Sequence, residues 1–190
     1  NKFVYRNLQQ YAVAAQPKRK HTPFRIVYAG LLGVAQDIYS IIENIPFQSI
    51  GAEFHLYGGG NQTEKIKEYI NKHPGCFVYY HGYVKKKQIA EELSRYDASI
   101  VPLTVAIKGA VPSKIYDLIP IGIPILFCGG GEGAEIVSKY YFGMVSKPHD
   151  FKQLHNNIIE LINLPDEEYS TISKNCLDMA KNEFDFNKQI

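Results

Sequence analysis

The 190-residue chain is 45% hydrophobic and 21% charged, the balance of one globular domain and not of a disordered or fibrous chain. A net charge of +2 lacks the clustered basic excess of a nucleic-acid binder. Cys76, Cys128 and Cys176 are odd in number, widely spaced and free of any Cys-x-x-Cys pair, which argues against a disulfide framework or zinc site and for a reducing compartment.

No apolar stretch approaches the roughly 18–20 residues of a membrane helix, and no charged-then-apolar leader opens the chain. The cytoplasm is the expected location, and a chain opening on Asn1 is expected to begin inside a longer protein. Residues 1–23 read differently from the rest. Phe3, Tyr5, Leu8 and Tyr11 are scattered, and Pro17 and Pro23 flank the basic run Lys18-Arg19-Lys20-His21. Prolines around a basic cluster predict a linker, so a domain boundary falls here and residues 24–190 form the folded unit.

From Phe24 onward, short apolar runs alternate with helix-period segments. Phe24–Ala29 predicts a strand stopped by Gly30, after which Ile38, Ile41, Ile42 and Ile45 recur at helical spacing. Glu53–Tyr57 predicts a second strand stopped by Gly58-Gly59-Gly60, and Thr63–Asn71 a helix with one wet face. Phe77–Tyr80 reads as strand, Gln88–Tyr96 as helix, Ala98–Leu103 as a buried strand, and Ser113–Ile119 as a short helix ended by Pro120 and Gly122. Pro124–Cys128 is a strand, Glu132–Tyr140 a helix and Gly143–Val145 a minimal strand, followed by helices at about 150–162 and 166–182. Six such βα units predict a doubly wound, Rossmann-like parallel sheet with helices on both faces. In that architecture ligands bind at the carboxyl ends of the strands, so the loops after each strand are the ones to inspect.

Gly30-Leu31-Leu32-Gly33 follows the first strand and permits either a tight turn or close approach of a ligand to the backbone; a helix start there would favour an anion. Gly58-Gly59-Gly60 poses the same alternatives. At Gly129-Gly130-Gly131, the following Glu132 and Glu135 discourage a phosphate. Pro112-Ser113-Lys114-Ile115-Tyr116-Asp117 is the most informative stretch. Pro112 holds an extended lead-in, Ser113 suits the N-cap, and Lys114 adds a full charge beside the free amides, as a diphosphate requires. Asp117 projects from the same face about 6 Å further along, where a carboxylate suits a neutral partner rich in donors, such as a ribose diol. The other reading is an ordinary capped helix with Asp117 in solvent. Lys85-Lys86-Lys87 either faces phosphates or is a solvated run, and His81 reads as a hydrogen-bonding spacer. No residue cluster has metal-ligand spacing, and neither a nucleophile elbow nor a Walker A loop occurs.

The ordered motifs VYAGLLGVAQDI, FHLYGGG, VYYHGYV, ASIVPL and VPSKIYDLIPIGIPILF resemble the carboxyl-terminal domain of retaining group 1 glycosyltransferases of the two-Rossmann-domain (GT-B) architecture, from about Phe24 to Phe184. The bacterial enzymes that build capsule or O-antigen are the most similar subgroup. The resemblance implies that Gly30 and Gly33 approach a diphosphate, and that Gly59 and the Gly82-Tyr83-Val84 turn frame the base. It further implies that Ser113 and Lys114, led in by Pro112, hold phosphate, and that Asp117 stands where the family carries a ribose-binding glutamate. Leu31, Leu32 and Gln36 occupy a stretch where many relatives carry Arg and Lys, and Gly109, beside Lys108, stands where a second glutamate is common.

The implied activity is retaining transfer from a nucleoside-diphosphate sugar, UDP-linked as the first expectation, with neither metal nor other cofactor. The partner is a saccharide or lipid-linked acceptor, held mainly by an amino-terminal half outside this chain. Peripheral membrane association of the full-length protein is compatible with that picture. A sugar-nucleotide 2-epimerase domain shares the architecture but needs acid/base residues in the cleft. A non-catalytic nucleotide-binding Rossmann domain is the third reading. The base, sugar, acceptor and catalytic residues are not specified by these motifs.

Overall fold

The structure, a computed structural model, describes residues 17–104 and 111–183. Its sheet has six parallel strands in the order β3-β2-β1-β4-β5-β6: β1 Phe24–Leu31, β2 Ala52–Gly59, β3 Val78–Gly82, β4 Ala98–Pro102, β5 Ile125–Cys128 and β6 Gly143–Ser146. The helices are α1 Ile38–Asn44, α2 Thr63–Lys72, α3 Ile89–Leu93, α4 Ser113–Leu118, α5 Gly131–Lys139, α6 Phe151–Asn163 and α7 Asp166–Glu183. The order reverses between β1 and β4, and the ladder joining them consists of Ile26↔Ala98 and Val27↔Ser99. Beyond that point the two strands part, and a crevice opens at their carboxyl ends.

Successive residues of a strand face opposite sides, so strands covered on both faces, such as β4 and β5, bury every position. Ile26, Phe54 and Leu56 pack with α1, α2 and α6 through Ile41, Ile42, Ile66 and Ile158. Val27, Val101 and Phe127 pack on the other side with α3, α4 and α5 through Leu93, Ile115 and Val137. Helix α7 serves both layers, with Tyr169 and Ile172 in the first and Cys176 and Ala180 in the second.

Three sequence expectations are corrected. The first two strands do not stop at Gly30 and Gly58: the ladder continues through Gly30↔Gly58 and Leu31↔Gly59. Gly58 has φ 118°, and a Cβ there would lie 1.9 Å from the Gly30 carbonyl oxygen, so these glycines mark close strand approach and not chain termination. The helix expected at 88–96 divides into a 3-10 turn, Lys86–Gln88, and the short α3. Ser113 is the first residue of α4 and not its cap; Pro112 holds the cap position, with no side-chain hydrogen bond closing the helix.

The basic run before Pro23 lies against the folded unit. The Lys18 amide donates to Ser173 Oγ at 2.9 Å, and Lys20 Nζ donates to the Ile162 and Leu164 carbonyls that end α6. Asp97, fully buried, gathers this end of the sheet. Its carboxylate accepts from the His21 amide at 3.1 Å and the Arg25 amide at 2.6 Å and lies 2.7 Å from His21 Nδ1, while Tyr169 donates to its carbonyl at 2.7 Å. Removing a buried acceptor strands its donors, so Asp97→Ala should cost about 2–4 kcal/mol of unfolding free energy, measured by urea denaturation.

Candidate functional site

At the carboxyl ends of β1 and β2 lies a cleft of about 460 Å³. Its floor is Ala29, Gly30 and Leu31 with Tyr57, Gly58 and Gly59; one wall is Tyr83, Val84, Lys86 and Ile89, and the other is Lys114 and Asp117 of α4. That volume suits a ligand of nucleotide size. The floor is largely backbone held in place by its own bonds. Leu32 N donates to the Gly59 carbonyl at 3.0 Å, Gln62 N to the Leu32 carbonyl at 3.0 Å, and Tyr80 Oη to the Gly58 carbonyl at 2.8 Å.

Lys114 crosses the cleft to the end of β1. Its Nζ donates to the Ala29 carbonyl at 2.6 Å and lies 5.3 Å from the centre of the Tyr28 ring. Burial lowers its pKa, with Asp117 pulling the other way. Among the described residues no carboxylate lies within 4.0 Å of this ammonium. Asp117 is half-buried, and burial raises its pKa against the opposing charges of Lys114 and Lys86. Tyr57 is nearly buried; its hydroxyl donates to Glu92 Oε1 at 2.6 Å and lies 2.7 Å from Tyr96 Oη, bracing the sheet side of the cleft against α3. Burial holds the Tyr57 phenol well above its ordinary pKa.

Gly30, Gly59, Tyr83, Val84, Lys114 and Asp117 therefore meet in one cleft, as the sequence reading requires. Gly33, Gly82, Pro112 and Ser113 do not line it. Gly33 is buried in the turn and accepts from the amides of Gln36 and Asp37, and α1 begins only at Ile38, with four residues between it and the end of the first glycine loop. Gly82 supplies the left-handed turn, φ 73°, that carries Tyr83. Pro112 lies against the start of α5 near Gly133, and Ser113 is exposed. Gly109 and Lys108 lie outside the described residues. Lys86, Ile89 and Tyr57 belong to the site without having been assigned to it. Of the lysine run only Lys86 lines the cleft, and nothing in the sequence separates it from Lys85 and Lys87. His81 acts as a spacer: it lies 2.9 Å from His55 Nδ1 through Nε2 and stacks on Tyr57 at 4.7 Å.

A second cavity, bordered by Gln36, Asp37, Thr104, Cys128, Ser146 and His149, has about 20 Å³ of free space, room for a water but not for a sugar. Among the described residues no His/Cys/Asp/Glu group is placed to hold a metal, and no helix is long and apolar enough to cross a membrane.

A six-stranded sheet in this order, with its cleft at the carboxyl ends, defines a Rossmann-like α/β domain. A profile of the family described as "Glycosyl transferases group 1" matches residues 12–179, and the chain belongs to that family. The fold is that of GT-B glycosyltransferases. It is similar to Anabaena HepE solved with UDP and glucose (18% identity, TM-score 0.72, 87% of this chain and 45% of that one). It is also similar to S. aureus TarM solved with fondaparinux, alpha-GlcNAc-glycerol and UDP (17% identity, TM-score 0.71, 90% and 35%). A third is WaaG, a glycosyltransferase involved in lipopolysaccharide biosynthesis (16% identity, TM-score 0.68, 86% and 44%). The chain thus spans less than half the length of these proteins. A search of curated proteins by sequence returned no match.

The two glycines of the floor should respond differently to a methyl group. Gly58→Ala drives Cβ into the Gly30 carbonyl and should cost about 2 kcal/mol or more. At Gly59 the Cβ would lie 2.2 Å from the Tyr83 hydroxyl, the far end of a side chain that is 82% exposed and free to swing away. Gly59→Ala should therefore change the unfolding free energy, measured by urea denaturation, by about 0.5 kcal/mol or less.

Proposed function

We propose that this domain is the donor-binding half of a glycosyltransferase that moves a sugar from a nucleoside-diphosphate sugar to a polysaccharide or lipid-linked acceptor, with retention. The observation that carries this reading is Lys114, a half-buried ammonium with no carboxylate partner at the floor of a nucleotide-sized cleft. Buried charge is costly unless paired, and a diphosphate is the partner that such a cleft admits. On this reading the lining residues divide among the parts of a nucleotide. Gly30 and Lys114 would meet the phosphates, Asp117 the ribose, and Tyr83, Val84 and Ile89 the base, all six being residues of the one cleft. UDP is the first choice of nucleotide, in keeping with the UDP held by HepE and TarM.

In the transfer, negative charge develops on the departing diphosphate. An ammonium already fixed at its binding place stabilises that charge without reorganisation, so Lys114 supports departure as well as binding. Acceptor groups come from the other half of the full-length protein, and the isolated domain binds donor without turning it over.

One nucleoside diphosphate among UDP, GDP, ADP, TDP and CMP-type controls should raise the melting temperature of the domain; a hundredfold excess over Kd is worth ~2.7 kcal/mol. No shift with any diphosphate at millimolar concentration would count against the reading. Lys114→Met should weaken UDP and pyrophosphate alike by roughly ten- to a hundredfold in calorimetry, while leaving the ligand-free domain as stable or more so, because an unpaired buried charge is gone. Asp117→Ala should weaken UDP by a similar factor and spare pyrophosphate, which has no ribose. The pH profile of UDP binding should carry both signatures. The depressed Lys114 pKa places loss of the ammonium on the alkaline side below the ordinary lysine range, and the raised Asp117 pKa places loss of the carboxylate on the acid side above the ordinary aspartate range. Lys114→Met removes the alkaline limb and Asp117→Asn the acid one.

A further inference from the structure

We propose that Lys86 is a positioning residue that keeps Asp117 an ionised acceptor for the ribose while donor is bound, an inference that rests on the reading of the cleft as the nucleotide site. Lys86 opens the 3-10 turn after β3 and faces α4 across the cleft, whereas its neighbours Lys85 and Lys87 do not line it. Asp117 thus shares the cleft with two cations, Lys114 from its own helix and Lys86 from the turn after β3, and both charges oppose the rise that burial imposes on its pKa.

The two cations are not equivalent. Lys114 is committed to the Ala29 carbonyl, and once a diphosphate sits against it, its charge is spent on the ligand. At that moment Asp117 loses the benefit of Lys114 and gains a negative neighbour, and both changes favour protonation of a half-buried carboxylate. A protonated Asp117 offers one donor and weaker acceptance to a ribose diol that needs an acceptor for its two hydroxyls. Lys86 is the lining cation left to oppose this. The remaining titratable groups around the cleft do not substitute for it. Tyr57 is tied to Glu92 and Tyr96, Tyr28 donates to the Leu31 carbonyl, Tyr83 is not a cationic side chain, and Glu92 is itself an acid. Lys86 is exposed and belongs to no ion pair within 4.0 Å among the described residues, so its removal leaves no buried partner stranded.

Calorimetry at low ionic strength with UDP-glucose, whose esterified diphosphate does not change charge over the range used, tests the assignment on the whole domain. Wild type, Lys86→Met, Asp117→Asn and the double variant are compared at about pH 7.5 and about pH 5. Lys86→Met should weaken binding roughly two- to fivefold more at the lower pH than at the higher, the range expected of an exposed charge pair. In the Asp117→Asn background that pH-dependent loss should vanish, and Lys86→Arg should restore the wild-type profile. An equal loss from Lys86→Met in both backgrounds would make Lys86 a direct ligand contact and overturn the proposal, as would an unchanged pH profile. If wild type binds no UDP-glucose while Lys86→Met is folded by circular dichroism, the nucleotide reading of the cleft itself has failed, an outcome distinct from the other two.

Discussion

An ammonium donating to the Ala29 carbonyl at 2.6 Å organises the carboxyl end of this sheet. The bond becomes available because β1 and β4 separate after Val27 and Ser99, so the carbonyls of β1 beyond that point are not all consumed by ladder partners. Lys114 fills the gap from α4 and fixes the helix to the central strand. The residue between carbonyl and ammonium must then be small: a Cβ on Gly30 would lie 2.2 Å from Lys114 Nζ. The glycine of the first loop is thus explained by a lysine far along the chain, and not by a ligand alone. Desolvating a charge in this way lowers stability, and Asp117 offsets that cost only in part, since burial still lowers the Lys114 pKa and no carboxylate among the described residues lies within 4.0 Å of the ammonium.

The rest of the floor follows from the same demand for close approach. Gly58 brings β2 against the Gly30 carbonyl with no room for a side chain, and Gly59 leaves space over which the Tyr83 ring can lie. Side chains that would normally cover such a floor are displaced to its margins. Tyr57 turns its hydroxyl to Glu92 of α3 and to Tyr96 in the turn that follows it, which anchors the wall that carries Tyr83 and Lys86. A surface of backbone amides and carbonyls flanked by two lysines and one aspartate is the outcome.

Elements whose signal is local were legible in the sequence. Buried parallel strands such as Ile125–Cys128 are continuous apolar runs, and α6 announces itself through Leu154, Ile158 and Leu161 on one stripe with Asp150 as a true N-cap, bonded to the Gln153 amide at 2.9 Å. Lys114 and Asp117 were legible as a pair because helical spacing puts them on neighbouring positions of one helix. What failed was inference from a residue type with two physical uses. Glycine both ends strands and permits their close approach, and at Gly58 the second use won. Serine before an apolar helix both caps and simply exposes itself, and Ser113 does the latter. Lys86 could not be separated from Lys85 and Lys87, because which of three adjacent lysines lines the cleft is set by the 3-10 turn Lys86–Gln88, for which the run itself carries no signal.

The loss of the Ser113 cap changes what kind of anion site the proposed reading implies. A helix of six residues with an exposed first serine and no capping bond contributes little from its dipole, which grows with aligned peptides and acts through oriented terminal amides. On that reading charge for the phosphates comes from Lys114, a side chain on a flexible stem fixed by one carbonyl, and not from a rigid amide cradle. A side-chain ammonium holds a phosphate as a point charge and tolerates variation in its exact orientation, whereas Asp117 imposes a directional requirement for a diol. On the proposed reading, selectivity in this domain is graded along the ligand. Tyr83, Val84 and Ile89 offer the base mainly surface and stacking, the phosphates meet charge without strict geometry, and the ribose is the part recognised by direction.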